Sequence, residues 1–205
     1  MPAMALTVRR SLSGGRLLSV AAAVFLLLRP SAASAQPSSP DITVHEARGV
    51  YTVVARFVVD QPPAVALAVL SDYEQIPRFM PGVRSSTVLE RGTGRSVVEQ
   101  EAVSSVMMFS KRVHLVLEID EQPDALVFRD RCGRSFARYQ GAWRVAPEGG
   151  HTSITYELTA EPSFDVPGFM LKRILKRDST EMIGRLQLEI IARGARVAVR
   201  PEFAK

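Results

Sequence analysis

Hydrophobic and polar positions alternate along most of this chain. From Tyr51 to Val59 one side carries Tyr51, Val53, Ala55, Phe57 and Val59, and the other carries Thr52, Arg56 and Asp60. A period of two places successive side chains on opposite faces of an extended backbone, so this stretch predicts a half-buried strand. Gln61-Pro62-Pro63 stops it, and Pro63 suits the first position of a helix, where no amide hydrogen is needed. Ala64 to Leu70 (AVALAVL) is almost wholly apolar and predicts a short helix, with a second helical turn expected around Tyr73 to Ile76.

Six further strands are expected. Val83 to Glu90 and Ser96 to Ala102 flank a turn at Gly92-Thr93-Gly94. In Lys111 to Glu121, Val113, Leu115, Leu117 and Ile119 alternate with Arg112, His114, Glu118 and Asp120, the pattern of a sheet with one wet face. Pro123-Asp124 turns the chain into Ala125 to Asp130. The next strand presents Ala137, Tyr139, Gly141, Trp143 and Val145 on one face, and Glu148-Gly149-Gly150 closes a hairpin. The last strand points Ile154, Tyr156, Leu158 and Ala160 inward. After Pro167-Gly168 the period lengthens. Leu171, Leu175, Met182, Leu186 and Ile190 form one helical stripe, opposite Arg173, Lys176, Arg177 and Thr180. This helix is expected to reach Arg193, about 25 residues, supported by i,i+4 pairs of Arg185 with Glu181 and Glu189. A run of antiparallel strands beside segregated helices predicts an α+β fold.

The first 35 residues stand apart. Arg9, Arg10 and Arg16 precede a twelve-residue apolar run, Leu17 to Leu28, and Ala33-Ser34-Ala35 supplies a small-residue cleavage pattern. This is the layout of a secretory signal peptide, and the run is short for a membrane span of ~20 residues. Residues 1–35 are therefore expected to be a signal peptide, 36–48 a linker, 49–195 the folded domain and 196–205 a tail. Four of the 26 basic residues precede the expected cut and none of the 21 acidic ones do, leaving 22 against 21. The remaining chain is nearly neutral, so the overall positive charge gives no argument for nucleic acid. The single cysteine, Cys132, cannot staple the fold from within. An exported chain without asparagine, richer in arginine than in lysine, is expected in a bacterial periplasm.

The element order, with DYEQIPRFMPG (residues 72–82), YQGAW (139–143) and EPSFDVPGFMLKRIL (161–175), resembles the START-like superfamily, and within it the polyketide cyclase/dehydrase and coenzyme Q-binding group. The resemblance covers nearly all of Gly49 to Arg193. It implies a helix-grip fold: a curved antiparallel sheet of about seven strands wrapped around a long C-terminal helix, with two short helices after the first strand. It also implies a cavity between sheet and helix that holds a hydrophobic ligand such as a lipid, quinone or polyketide.

The chemistry-bearing residues are sparse. His45, His114 and His151 lack ligand spacing, so no metal is expected. Cys132 sits in an Arg-Cys-Gly-Arg turn and reads as a turn residue. No cofactor and no catalytic residue are expected. The expected ligand-binding cavity residues are Phe79, Met80, Met108, Phe128, Tyr139, Trp143, Tyr156, Phe169, Met170, Ile174, Asp178 and Met182. Methionines adapt to irregular apolar partners, while Tyr139, Trp143 and Tyr156 carry polar tips able to orient a head group. Asp178 has two readings, a carboxylate paired with Arg177 or Arg185, or a cavity group able to move a proton. Lys172, Arg173, Lys176 and Arg177 follow Phe169-Met170-Leu171, a combination suited to transient contact with anionic membrane as well as to a solvated helix face.

The resulting expectation is a monomeric, exported binding protein that carries or sequesters a hydrophobic small molecule. Two alternatives stand beside it: a cyclase/dehydrase-type enzyme acting in the same cavity, and a periplasmic protein-interaction module. A convergent acid–base pair would mark the enzyme, and a cavity filled by side chains would mark the module.

Overall fold

The computed structural model of the protein describes residues 39–80, 82–106, 109–165 and 167–198. The expected signal peptide, residues 36–38 of the linker, Pro81, Met107, Met108 and residues 199–205 of the tail lie outside them.

Eight antiparallel strands form one sheet in the order β1-β2-β8-β7-β6-β5-β4-β3. They are β1 (Asp41–Ala47), β2 (Val50–Val59), β3 (Val83–Gly92), β4 (Arg95–Val106), β5 (Phe109–Glu121), β6 (Ala125–Asp130), β7 (Phe136–Glu148) and β8 (His151–Pro162). Helix α1 (Pro63–Leu70), a 3-10 turn over Tyr73–Gln75 and the single turn α2 (Ile76–Phe79) connect β2 to β3, and α3 (Gly168–Ala198) follows β8. The fold is the α+β helix-grip arrangement that the alternation and its resemblance imply, with eight strands where about seven were expected.

The additional strand is β1. Most of the residues expected as a linker pair here in register with β2, from Asp41 opposite Arg56 to Ala47 opposite Val50. Its outer face is polar, and only Val44 is buried, with Ile42 packed partly against the core. An edge strand with one apolar neighbour on each side of a threonine carries too little alternation to stand out from a polar linker. Its hairpin turns on Arg48 and Gly49, both with positive φ (53° and 79°), the geometry that matches strand twist in a two-residue turn. The hairpin at Gly149-Gly150 uses the same device.

Two other differences are local. Helix α3 runs 31 residues, so residues 196–198 of the expected tail are helical. A bulge lies between Phe136 and Arg138 in the β7–β8 pairing. It shifts the inward alternation so that Phe136 is buried and Ala137, expected inward, is exposed.

The core lies between the inner face of the sheet and one stripe of α3. Val53, Ala55 and Ile154 from the sheet and Ile183 and Ile190 from α3 are fully buried. The sheet curves enough for β1, β2 and β4 all to reach α3. Gly141, in the middle of β7, is pressed by its neighbours. A Cβ there would collide with the Glu157 carbonyl and come within 2.8 Å of the Phe128 ring.

Two adjacent residues fasten the α1–α2 segment. Asp72 accepts an ion pair from Arg193 of α3 at 2.6 Å, and Arg193 also binds Glu189 one turn back at 2.7 Å. Glu189 is thus taken by Arg193 rather than by Arg185. The buried Tyr73 donates its hydroxyl to Glu121 at the end of β5 at 2.9 Å, and Ser96 donates to the same oxygen at 2.7 Å. Burial, reinforced by the Glu121 carboxylate, pushes the Tyr73 phenol well above its ordinary value, so it stays a donor.

Two outcomes are expected. Gly141→Ala destabilises the protein by about 1–3 kcal/mol through overpacking, read as a lower midpoint in thermal or urea denaturation. Arg193→Met releases one of the two fastenings, so amide hydrogen exchange across residues 72–80 accelerates while the β7–β8 amides keep their protection.

Candidate functional site

The sheet and α3 do not close on each other along their whole length. Toward the C-terminal half of α3, Ile183, Leu186, Gln187 and Ile190 are packed against the sheet. Toward its N-terminal half, Met170, Ile174, Leu175, Asp178 and Met182 face open space. The result is a cavity of about 610 Å³, within the range of small-molecule sites. Its sheet side is built from inward residues of β5, β6, β7 and β8: Val113, Leu115, Leu117 and Ile119, then Leu126 and Phe128, then Tyr139 and Trp143, then Tyr156 and Leu158. The third wall comes from Val69, Leu70, Tyr73, Ile76, Phe79 and Met80.

Ten of the expected cavity residues line this space: Phe79, Met80, Phe128, Tyr139, Trp143, Tyr156, Met170, Ile174, Asp178 and Met182. Phe169 does not. Its side chain sits on the outer surface of the first turn of α3, 78% exposed. Helical geometry separates neighbours by about 100° around the axis, so Met170 and Phe169 cannot share an inward direction. Met108 lies outside the described residues. The strand aliphatics and Phe136 were not singled out in the sequence, although the clean alternation of Lys111 to Glu121 already assigned the aliphatics of β5 to the inner face.

The aromatic residues form a continuous wall. Ring centroids are 6.0 Å apart for Phe164 and Phe136, 4.9 Å for Phe136 and Tyr139, and 6.0 Å for Tyr139 and Phe128. The series continues with 6.3 Å for Phe128 and Tyr156 and 4.3 Å for Tyr156 and Trp143. At its outer end the Lys111 ammonium lies 4.6 Å from the centre of the Phe164 ring, a cation–π contact.

Polar groups are few and divide by depth. The exposed Lys111, Arg177, Glu181 and Arg185 stand at the mouth with Asp165. Asp178 is held there by its neighbour Arg177 at 2.7 Å, one of the two partners its position offered. Deeper in, the Tyr156 hydroxyl donates to the Tyr139 hydroxyl. Burial raises both phenols above their ordinary value, Tyr156 the more strongly because it is also the donor to Tyr139. They are neutral donors at physiological pH, not bases. Among the described residues no buried side-chain nitrogen or oxygen lacks a hydrogen-bond partner, and no three His, Cys, Asp or Glu side chains gather into a metal site.

Cys132 is a free thiol in the turn after β6, where the Asp130 carboxylate receives the Cys132 and Gly133 amides at 3.3 and 2.9 Å. It lies outside the cavity. Lys172, Arg173 and Lys176 are exposed on the outer face of α3, whereas Arg177 borders the cavity.

Comparison with known proteins places this geometry. The chain resembles, at 23% identity over 69% of its length and 97% of the other, a protein of Thermus thermophilus, with a TM-score of 0.61. A STAR-related lipid transfer protein of Xanthomonas axonopodis is 15% identical over 74% of this chain and 98% of that fragment, with a TM-score of 0.53. The Zhui aromatase/cyclase of a Streptomyces species is 15% identical over 76% of this chain and 99% of its own, with a TM-score of 0.59. These likenesses concern the fold. No curated protein matches the chain. Residues 59–187, from the end of β2 through most of α3, match a family model, and the chain belongs to the polyketide cyclase / dehydrase and lipid transport family.

Proposed function

We propose that the protein is an exported binding protein that carries or sequesters a hydrophobic small molecule in the cavity under α3. The observation that carries this reading is the open, mainly apolar cavity of about 610 Å³, whose charged groups stand at the mouth and whose deep tyrosines are neutral. Affinity would come from burying the ligand's apolar surface, at ~25 cal/mol per Å² before the costs of association. A family of hydrophobic-ligand binders and cyclases accommodates both carriage and chemistry. Carriage is favoured here because Asp178 is engaged by Arg177 and the two deep tyrosines are held protonated, which leaves no paired acid and base facing the ligand among the described residues. An interaction module is disfavoured by an interior that its side chains leave unfilled.

Export rests on the basic start, apolar run and cleavage pattern of residues 1–35. Ligand exchange at an anionic membrane rests on the exposed Phe169 beside Lys172, Arg173 and Lys176 at the start of α3. These residues adjoin the helix turns that border the cavity, so a docked surface would lie next to the route of entry.

Native mass spectrometry of the protein from its own host should show a bound apolar species released by organic solvent. Ile174→Trp, which fills the space from α3, should fold normally and lose at least about ten-fold in affinity for an apolar fluorescent probe. Undiminished binding in that variant would place the probe elsewhere. For membrane contact, the chain beginning at Gln36 should co-sediment with anionic vesicles and not with neutral ones. Replacing Lys172, Arg173 and Lys176 by glutamate should abolish this, and equal binding to neutral vesicles would refute the electrostatic part.

A further inference from the structure

We propose that the protein, expected from its sequence to be a monomer, forms a twofold dimer in which the outer edge of β1 pairs antiparallel with the same edge of a second copy, in a register centred on Thr43. Three observations converge on a second copy as the occupant of this edge.

The first is that the two edges of the sheet are built differently. β1 and β3 each have a strand on one side only. The β3–β4 ladder is broken twice, between Val83 and Ser85 and between Val88 and Glu90. Bulges of this kind bend an edge and guard it against further pairing. β1 instead pairs with β2 from Asp41 to Ala47 without a shift, so its outer edge is equally regular. The middle of that edge, Ile42-Thr43-Val44, is uncharged and β-branched, a composition that favours extending a sheet.

The second is the match of faces. Val44 is buried and Ile42 packs partly against the core, so these two point to the inner face, while Asp41, Thr43 and His45 are exposed on the outer one. An added strand must keep this parity, since a slip of one residue exchanges the faces. Centring the self-pairing on Val44 sets Ile42 against Glu46 of the partner subunit, and centring it on His45 sets Val44 there. Centring on Ile42 leaves only Asp41 to Thr43 paired within the strand. Centring on Thr43 sets Ile42 against the partner's Val44 and Thr43 against the partner's Thr43, both favourable cross-strand pairs.

The third is polar complementarity. In the Thr43-centred register Asp41 faces His45 of the partner subunit on the outer face, twice by symmetry. A carboxylate accepts a hydrogen bond from the imidazole in either tautomer. A strand of unrelated sequence would have to supply both complements, whereas a second copy carries them already.

Because the facing residues share a face, the twofold axis stands perpendicular to the sheet and both α3 helices lie on one side of it. The exposed Lys172, Arg173 and Lys176 of both copies then face the same way. On the membrane-docking reading given above, the dimer would grip an anionic surface at two points and hold it more tightly than one copy does. The pairing itself does not depend on that reading.

The test is made in solution, without membrane, on the chain beginning at Gln36, which contains the whole described fold. A pairing this short is small beside stable interfaces, so analytical ultracentrifugation should show a reversible dimer with a dissociation constant of about 10–100 µM. Thr43→Lys, which brings two like charges together on the axis, should leave a monomer with an unchanged thermal midpoint. With Cys132→Ser as background, Thr43→Cys, Asp41→Cys and His45→Cys are each treated with oxidised glutathione. Residues directly opposite lie within disulfide reach, so the Thr43→Cys chain should cross-link at least about ten-fold faster than the other two. Two copies of residue 41, or of residue 45, stand four positions out of register, ~13 Å apart along the strand. Sedimentation as a monomer at every concentration up to about 500 µM would overturn the proposal and leave the edge to a partner of another sequence. A dimer that survives Thr43→Lys, or equal cross-linking of the three cysteine variants, would equally overturn it. If Thr43→Cys fails to fold, the ultracentrifugation of the unaltered chain still decides.

Discussion

The structure depends on a mismatch between a curved sheet and a straight helix. β1 and β2 lie closest to α3, whose Ile183, Leu186 and Ile190 are buried, and there the interior is filled. Farther toward the start of α3 the sheet bends away through β7, β6 and β5, and the helix cannot follow. A helix is stiff over such a length and keeps its buried stripe in line. The side chains on either side then become walls rather than core, although the same alternating and helical periods run through both regions.

The magnitude of the unfilled space matters. At ~24 cal/mol per Å³ of residual cavity, a sealed dry void of about 610 Å³ would cost on the order of 15 kcal/mol, comparable to the whole stability of a domain. The cavity is open at its mouth, so solvent or ligand relieves that cost. The fold is then stabilised elsewhere, by the long β7–β8 and β2–β8 ladders and by the packed end of α3. A ligand that displaces loosely held water from such walls gains apolar burial without needing the protein to rearrange.

Most of this was legible in the sequence because it is carried by period. Tyr51 to Val59, Lys111 to Glu121 and Ser153 to Ala160 alternate so cleanly that their inward residues are the ones found inside. The stripe Leu171, Leu175, Met182, Leu186 and Ile190 likewise faces the sheet. What failed was carried by something other than period. The edge strand β1 owes its pairing to β2 rather than to its own apolar content. The bulge after Phe136 exchanges that residue for Ala137 by adding one residue to one strand, which leaves no mark in composition. Phe169 adjoins the cavity residues Met170 and Ile174 in sequence and shares their apolar character. Its angular position on the first turn of α3 sends it out.

The stretch SDYEQIPRFMPG shows how side chains with catalytic potential can serve position instead. Asp72 and Tyr73 are consecutive and point to different elements, Asp72 to Arg193 on α3 and Tyr73 to Glu121 on the sheet. One peptide unit thus ties the connection to both sides of the cavity at once. Beyond it α2 is a single turn with no buried residue of its own, and Phe79 and Met80 reach the cavity from it. Pro77, in the first turn of α2, fixes one backbone angle where a four-residue helix has little else to hold it. Fastened at Asp72 and Tyr73, the third wall of the cavity therefore keeps its place through polar contacts at its base, while Ile76, Phe79 and Met80 present apolar side chains to the cavity.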